Sequence, residues 1–413
     1  MTLRILTLST LFPDMTRPNF GIFVERQARE LASREGIEVT VVAPLGIPPW
    51  PLSRHSRYAS LLRLPVEERW RDLTVHRPRF PVIPRVGGAL HVVNMTRAIL
   101  PLVRRLHEKA PFDVIDASFF YPDGPVAQRL SRKLGIPYSV KARGADIHYW
   151  GRNAATRKAV LAAGKGAAGL LAVSEAMKRS MIALGMDGEK IRVHYTGVDL
   201  DRFAPQDRTA AKAHFGVTGP VILSVGALIP RKGQDLLIRA LPALPTAMLL
   251  LAGQGPERSA LEQLAEELGV GNRVGLLGTV PHDHLPILYN AADVMALPSA
   301  SEGLANAWLQ AMACGTPIAI TDVGGARELL IDAGSALDGK GTALVPNDVC
   351  PGSEAGILVE RTSDAFASAL GKMLVQTPDR IAIRKRAMRF TWAANGDALV
   401  NYLRELAGQL TSR

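Results

Sequence analysis

Eleven short apolar runs recur along the chain, each followed by a stretch with helical patterning. In the first half they are ILTLS (5–9), VTVVAP (39–44), DVIDA (113–117), YSVKA (138–142), GLLAVS (169–174) and IRVHY (191–195). In the second half they are VILSVG (221–226), AMLLLAG (247–253), RVGLLG (273–278), DVMALPS (293–299) and PIAIT (317–321). Most do not alternate apolar with polar, so they suit strands buried on both faces, as in a parallel sheet flanked by helices. Helical stretches such as FVERQARELASREG and RSALEQLAEELGVG lie between them, the latter with a glycine stop. Two successive series predict two doubly wound α/β domains. The seam is expected at the turn-rich stretch TGVDLDRFAPQDRTA (196–210), giving domains 1–200 and 201–389. A final helix over about 390–413 remains beyond the second domain.

Length agrees, since 413 residues exceed one ordinary core. No run of about 18 apolar residues is present, and the N-terminal run reads as a strand rather than a signal sequence. Two cysteines, Cys314 and Cys350, are too few for a disulfide framework and point to a reducing cytoplasm. Charge is uneven. Residues 1–200 carry 30 Lys and Arg against 17 Asp and Glu, whereas residues 201–413 carry 19 against 21. The densest basic stretch runs from Trp50 to Arg105, with Arg54, Arg57, Arg63, Arg69, Arg71, Arg77, Arg79 and Arg85 among Tyr58, Leu61, Leu62, Leu64 and Trp70. It reads either as a solvated face or as a docking face for an anionic membrane. No nucleic-acid-binding motif accompanies the charge, so nucleic acid is not expected as a partner.

In open α/β sheets, ligands bind beyond the carboxyl ends of the strands. Three loops of the second half suit an anion there. SVGALIPRKGQD (224–235) includes Gly226 and offers Arg231 and Lys232. LAGQGPER (251–258) contains the turn Gly253-Gln254-Gly255. PSASEGLANAW sets Glu302, Gly303, Leu304, Ala305 and Asn306 at the start of a helix, where free N–H groups and the helix dipole favour a phosphate. Gln310 follows eight residues after Glu302, roughly 12 Å along a helix and about 80° around it. The two could not grip one ion, but could touch two ends of an elongated ligand. A dipole-favourable Glu and a surface Gln is the plainer alternative.

Taken together, these segments resemble the retaining glycosyltransferases of family 4, of the glycogen-synthase-like, polysaccharide-assembly kind. The resemblance covers FPDMTRPNFGIFVERQARELA, TGVDLDRFAP, PRKGQDLLIRAL, GQGPERSALEQLAEELGVGNRVGLLG and YNAADVMALPSASEGLANAWLQAMACGTPIAITDVGGARELL. It implies a GT-B fold, two Rossmann-like domains with a cleft between them, and a C-terminal helix that crosses back to the first. It implies that Glu302 contacts the donor sugar, that Gly303 to Asn306 lend backbone N–H groups, and that Gln310 stands where a second Glu grips the ribose. Gly226, Gly253, Gln254, Gly255 and Val280 would line the donor site. In the first domain, Gly21 matches a glycine that lets the acceptor loop approach the phosphates. Arg143-Gly144-Ala145-Asp146 stands where the family often has a histidine before Gly-x-Asp, so Arg143 and Asp146 join the acceptor side.

The chain departs from the family at three single positions and in one longer stretch. Ala227 replaces an Arg of the diphosphate-binding pair, with Arg231 as the substitute donor beside Lys232. Gln310 replaces a carboxylate, which weakens the nucleotide grip without abolishing the reaction. Arg143 stays protonated and is no general base. The stretch ALDGKGTALVPNDVCPGSE (336–354) is longer than such a connection needs. The implied activity is transfer of a hexosyl group from a nucleotide-diphosphate sugar to a lipid-linked or membrane-surface glycan acceptor, in bacterial polysaccharide or glycolipid assembly. The setting would be cytoplasmic, peripheral at the inner face of the membrane. No metal or other cofactor is expected; Asp199-Leu200-Asp201 and His282-Asp283-His284 read as turn residues. A nucleotide-sugar epimerase on the same fold and a non-catalytic scaffold with a decayed donor site are the rivals.

Overall fold

The structure, a computed structural model, describes residues 2–83, 88–330 and 355–411; the expected insertion at 336–354 lies outside them. The chain divides into two compact units, Met1–Gly197 with Trp392–Arg413 and Val198–Thr391.

The first unit holds strands β1 (Leu3–Leu8), β2 (Ile37–Val42), β3 (Leu45–Ile47), β4 (Glu67–Trp70), β5 (Leu73–His76), β6 (Arg79–Pro81), β7 (Val114–Ala117), β8 (Tyr138–Ala142), β9 (Gly169–Ala172) and β10 (Ile191–Val193). Eight of them form one sheet in the order β10-β9-β8-β7-β1-β2-β5-β4. All its pairings are parallel except β4 with β5. The six strands expected here are present. The β4–β5 hairpin has an amphipathic pattern that resembles surface sequence, and β3 with β6 makes a separate small ladder. The apolar runs alone indicated neither.

The helix Trp392–Thr411 packs on this first sheet. Its Leu399, Leu403 and Leu406 recur at helical spacing and are buried with Leu3, Ile5, Val114 and Leu171. Burying each such leucine contributes about 1.5–3 kcal/mol, which holds the returning helix to the sheet. Polar bonds fix its first turn. Asn395 Nδ2 donates to the Tyr195 carbonyl at 2.5 Å, and Gln27 Nε2 donates to Asn395 Oδ1 at 3.0 Å.

The second unit holds β11 (Val221–Val225), β12 (Met248–Ala252), β13 (Val274–Gly278), β14 (Val294–Leu297), β15 (Ile318–Thr321) and β16 (Gly356–Val359). All six are parallel, in the order β13-β12-β11-β14-β15-β16. Five match the expected runs; β16 is the addition. One core of Leu, Ile, Val and Phe side chains, among them Ile238, Leu249, Val294 and Phe366, joins the sheet to helices Gln234–Ala240, Arg258–Glu267 and Ser363–Leu374.

Candidate active site

Strand β11 pairs with β12 on one side and β14 on the other, so the strand order reverses between β11 and β14. In an open α/β sheet such a reversal, at the carboxyl ends of the strands, is the usual ligand position. The loop after β11 ends in the short turn Pro230–Lys232, and the loop after β14 carries Glu302. Lys232 Nζ donates to Glu302 Oε1 at 2.5 Å. Arg231 Nη1 lies 3.4 Å from the same oxygen, and Ser299 Oγ donates to it at 2.7 Å. The hydrogen bonds from Lys232 and Ser299 thus converge on one oxygen, Oε1.

The backbone holds the two loops against each other. Ala300 N–H donates to the Arg231 carbonyl at 2.8 Å, and the Arg231 guanidinium returns a bond to the Ser301 carbonyl. Arg361, after β16, donates to the carbonyls of Pro298 at 2.9 Å and Pro230 at 3.2 Å. Gly233 has φ +71, and a Cβ there would lie 2.4 Å from the Pro298 carbonyl oxygen. The Gly253-Gln254-Gly255 turn after β12 closes the other side. A Cβ on Gly253 would lie 1.9 Å from the Gly226 carbonyl oxygen, so only glycine permits this approach. Gly226 itself lies under the Lys232 stem, with a would-be Cβ 3.4 Å from Cε.

Gly303 and Leu304 are buried, and Ala305 caps the helix Asn306–Ala313 without a side-chain hydrogen bond. The N–H groups of its first turn therefore have no side-chain cap. Further along, half-buried Gln310 accepts a bond from the Tyr289 hydroxyl at 3.1 Å. Gly226, Arg231, Lys232 and Glu302 thus meet directly. Gln310 stands about one turn along the helix, which begins only at Asn306, and Val280 lies in the loop after β13.

Two family models match the chain in succession. The model for glycosyltransferase family 4 covers residues 21–202, and that for group 1 glycosyl transferases covers residues 206–389. A D-inositol 3-phosphate glycosyltransferase of Mycolicibacterium smegmatis is 30% identical over 96% of this chain and 90% of its own length. That of Mycobacteroides abscessus is 36% identical over 52% of this chain, a match spanning 46% of that relative. The chain belongs to glycosyltransferase family 4. Among solved structures, sucrose-phosphate synthase of Thermosynechococcus elongatus superposes with a TM-score of 0.77 at 21% identity, covering 98% of this chain and 100% of that one. Anabaena Alr3699/HepE in complex with UDP and glucose gives 0.70 at 23% identity, covering 97% and 99%. The fold is GT-B.

The first unit of this glycosyltransferase has its own reversal, between β7 and β1. Gly21 precedes the helix Ile22–Ala32 there, against the Leu11 carbonyl. Asp146 is buried and accepts backbone bonds from Gly144 at 2.7 Å, Arg143 at 3.0 Å and Phe120 at 3.3 Å. Burial pushes its carboxyl above the usual range. Arg143 Nε donates to the Ser118 carbonyl at 2.9 Å and Nη2 to Gln27 Oε1 at 3.2 Å, with the guanidinium 4.6 Å from the Phe23 ring centre. Burial lowers Arg143 to about 10, so it remains a cation at neutral pH, in keeping with a role other than general base.

Sequence reasoning missed several residues of this group. Asp123 is fully buried, accepts Thr10 N–H at 3.1 Å, and is raised to about 7 by desolvation. Lys141 is fully buried, donates to Gln27 Oε1 at 2.6 Å and is lowered to about 8. A lysine inside the otherwise apolar run YSVKA was the available signal. Ser299 and Arg361 of the second unit gave none.

Arg202 links two other sequence features, the turns at 199–201 and 282–284. The Arg202 guanidinium bonds Asp283 at 2.5 Å and His282 Nδ1 at 3.0 Å, and its backbone N–H donates to the Asp199 carboxylate at 3.0 Å. Among the described residues no group of three or more His, Cys, Asp or Glu side chains is arranged to hold a metal. Arg77, counted with the exposed basic residues, is buried against Glu68 at 2.5 Å. A cation buried inside the first unit needs a paired acid, and β4 supplies it.

Proposed function

We propose that the second unit binds a nucleotide-diphosphate sugar at the β11–β14 reversal and that the enzyme passes the sugar, with retention, to an acceptor hydroxyl. The observation that carries this is the Lys232–Glu302 contact, a cation and a carboxylate held side by side at the mouth of a parallel sheet. Glu302 would accept bonds from sugar hydroxyls. Lys232 and Arg231 would meet the diphosphate together with the N–H groups of Gly303, Leu304, Ala305 and Asn306. Gly226, Gly253, Gln254 and Gly255 would admit the phosphates closely, with Val280 beside the nucleotide and Gln310 on its ribose. In the reaction the bond from the anomeric carbon to the diphosphate breaks and the acceptor oxygen bonds that carbon on the same face. The acceptor proton passes to the leaving phosphate. Fixed positive groups favour the charge that develops there, which is electrostatic catalysis.

Gly21, Arg143 and Asp146 belong to the acceptor side of this reading. The basic first unit supports a lipid-linked or membrane-surface glycan acceptor at the inner face of a bacterial membrane. The relatives named for D-inositol 3-phosphate favour a second acceptor class, a phosphorylated polyol, for which the Arg143 cation is suited.

The test is calorimetric binding of a panel of nucleotide sugars to wild type, Glu302→Ala and Gln310→Glu. Binding of one donor, lost in Glu302→Ala, supports the site. Binding to neither wild type nor Gln310→Glu sinks it and favours a scaffold. Isomerised donor without any acceptor would favour an epimerase.

A further inference from the structure

Between β2 and β5 the first unit makes an excursion that strand–helix alternation does not require. Strands β3 and β6 pair in parallel, Leu45 with Arg79 and Ile47 with Pro81, so both end at the same edge. Val82 N–H continues the ladder by donating to the Ile47 carbonyl at 3.1 Å. Beyond β3 come Trp50, 73% exposed, and Leu52, 54% exposed; beyond β6 comes Ile83, 50% exposed. The long helix Gly88–Lys109 reaches this edge too, because Asn94 Nδ2 donates to the Pro81 carbonyl at 3.2 Å. Leu90, one turn earlier on the same helix face, is 55% exposed. Four large apolar side chains from three segments therefore gather at one end of the ladder.

The excursion has a small core of its own, Leu45, Ile47, Leu61 and Leu64 with Tyr58 packed against it. Arg79 adds bonds to the carbonyls of Leu62 at 2.8 Å and Leu64 at 2.9 Å, so the tip rests on a fixed base. Exposed cations lie beside it and along the helix that leads away from it. Arg54 follows Leu52 in the chain, and Arg97 and Arg104 continue the Leu90 face of the helix at seven-residue steps. No helix among the described residues is long and apolar enough to cross a membrane.

We propose that this tip docks the enzyme on an anionic bilayer. Trp50, Leu52, Ile83 and Leu90 enter the boundary between headgroups and acyl chains, and Arg54, Arg97 and Arg104 meet the lipid phosphates. The proposal rests on the membrane-surface part of the reading above and supplies its contact surface. Charge complementarity selects the occupant. A second copy seated here by a two-fold axis would set arginines against arginines, whereas an anionic surface neutralises them all.

The experiment is flotation of the full chain with vesicles of phosphatidylcholine, alone or with about one third phosphatidylglycerol. Wild type is expected to float with the anionic vesicles only, and less at high salt. Trp50→Ser with Leu52→Ser should weaken binding about tenfold or more. Each of Arg97→Glu and Arg104→Glu should weaken it about fivefold or more. Melting temperatures near wild type establish that the variants fold. Calorimetry with the nucleotide-sugar panel on the same proteins separates the two readings, because donor binding without flotation overturns docking and leaves the transferase site standing. Unchanged flotation of the Trp50 and Leu52 variant also overturns it. So does concentration-dependent dimerisation that this variant abolishes, which would assign the tip to self-association.

Discussion

Lys232 and Glu302 are 70 positions apart in the chain, yet their Nζ and Oε1 atoms stand 2.5 Å apart, with side chains only 12% and 10% exposed. The pair is sheltered enough that each charge depends on the other, while Ser299 and Arg231 share the load on the carboxylate. A ligand that takes up either member must do so without stranding its partner. An elongated ligand with hydroxyls at one end and a diphosphate at the other meets that condition.

Breaking the pair from one side should cost more than removing both members. Lys232→Met is expected to destabilise the fold by about 1–3 kcal/mol, because Glu302 keeps only part of its compensation. Glu302→Gln should cost less, and the double variant less than the sum. A double-mutant cycle in urea reads the coupling directly; strictly additive costs would mean that the contact carries no energy.

Gln310→Glu is expected to tighten nucleotide-sugar binding up to about tenfold, since a charge-assisted bond to a hydroxyl contributes roughly 1.5–3 kcal/mol against 0.5–1.5 for a neutral one. The Tyr289 hydroxyl that now donates to Gln310 Oε1 can donate equally to a carboxylate, so the exchange leaves no buried group unpaired. Calorimetry with the best donor checks it. An unchanged affinity would place the ribose elsewhere.

Gly253→Ala should destabilise the second unit by about 1–3 kcal/mol and weaken donor binding with it, as the added methyl pushes the 253–257 turn off Gly226. Gly269→Ala is the control. Gly269 also has positive φ, +66, but nothing lies within 4 Å of its would-be Cβ. A loss of donor affinity equal in both variants would argue that general softening, not the close approach, is responsible.

Both main sheets were legible because a parallel strand buried on two faces has to be written in Val, Ile, Leu and Ala, as in β1, β11 and β14. The β4 hairpin strand, EERW, was not, because its alternating faces are half polar and half exposed. In the loops after β11, β12 and β14, Gly253, Lys232 and Glu302 stood out by residue type and by position after a strand. Ser299, Asp123 and Arg361 did not. Their roles depend on which distant backbone groups the fold brings to them, and a Ser, Asp or Arg in a loop is ordinary. Arg77 misled for the same reason: its partner Glu68 is decided by the hairpin, not by the basic stretch around it.

Acid should loosen the first unit through His194. This imidazole is 5% exposed, has Nε2 at 2.9 Å from the Asn395 carbonyl, and is lowered to about 3 by burial and by the nearby Lys141 cation. Unfolded, it would bind a proton below about 6.5. Between about pH 6.5 and 3 the unfolded chain therefore holds the extra proton, so stability falls as pH falls through that window. The slope from this one group is at most about 1.4 kcal/mol per pH unit. Asp123, raised to about 7, acts with the opposite sign between about pH 4 and 7, since there the folded state holds the proton. His194→Gln retains a donor for the Asn395 carbonyl and removes the titration. On going from pH 7 to pH 5 the urea midpoint of the variant should therefore rise relative to that of wild type, because the opposing Asp123 contribution is left unopposed. Equal pH sensitivity in the two proteins would mean that the Asn395 contact is not where acid enters the fold.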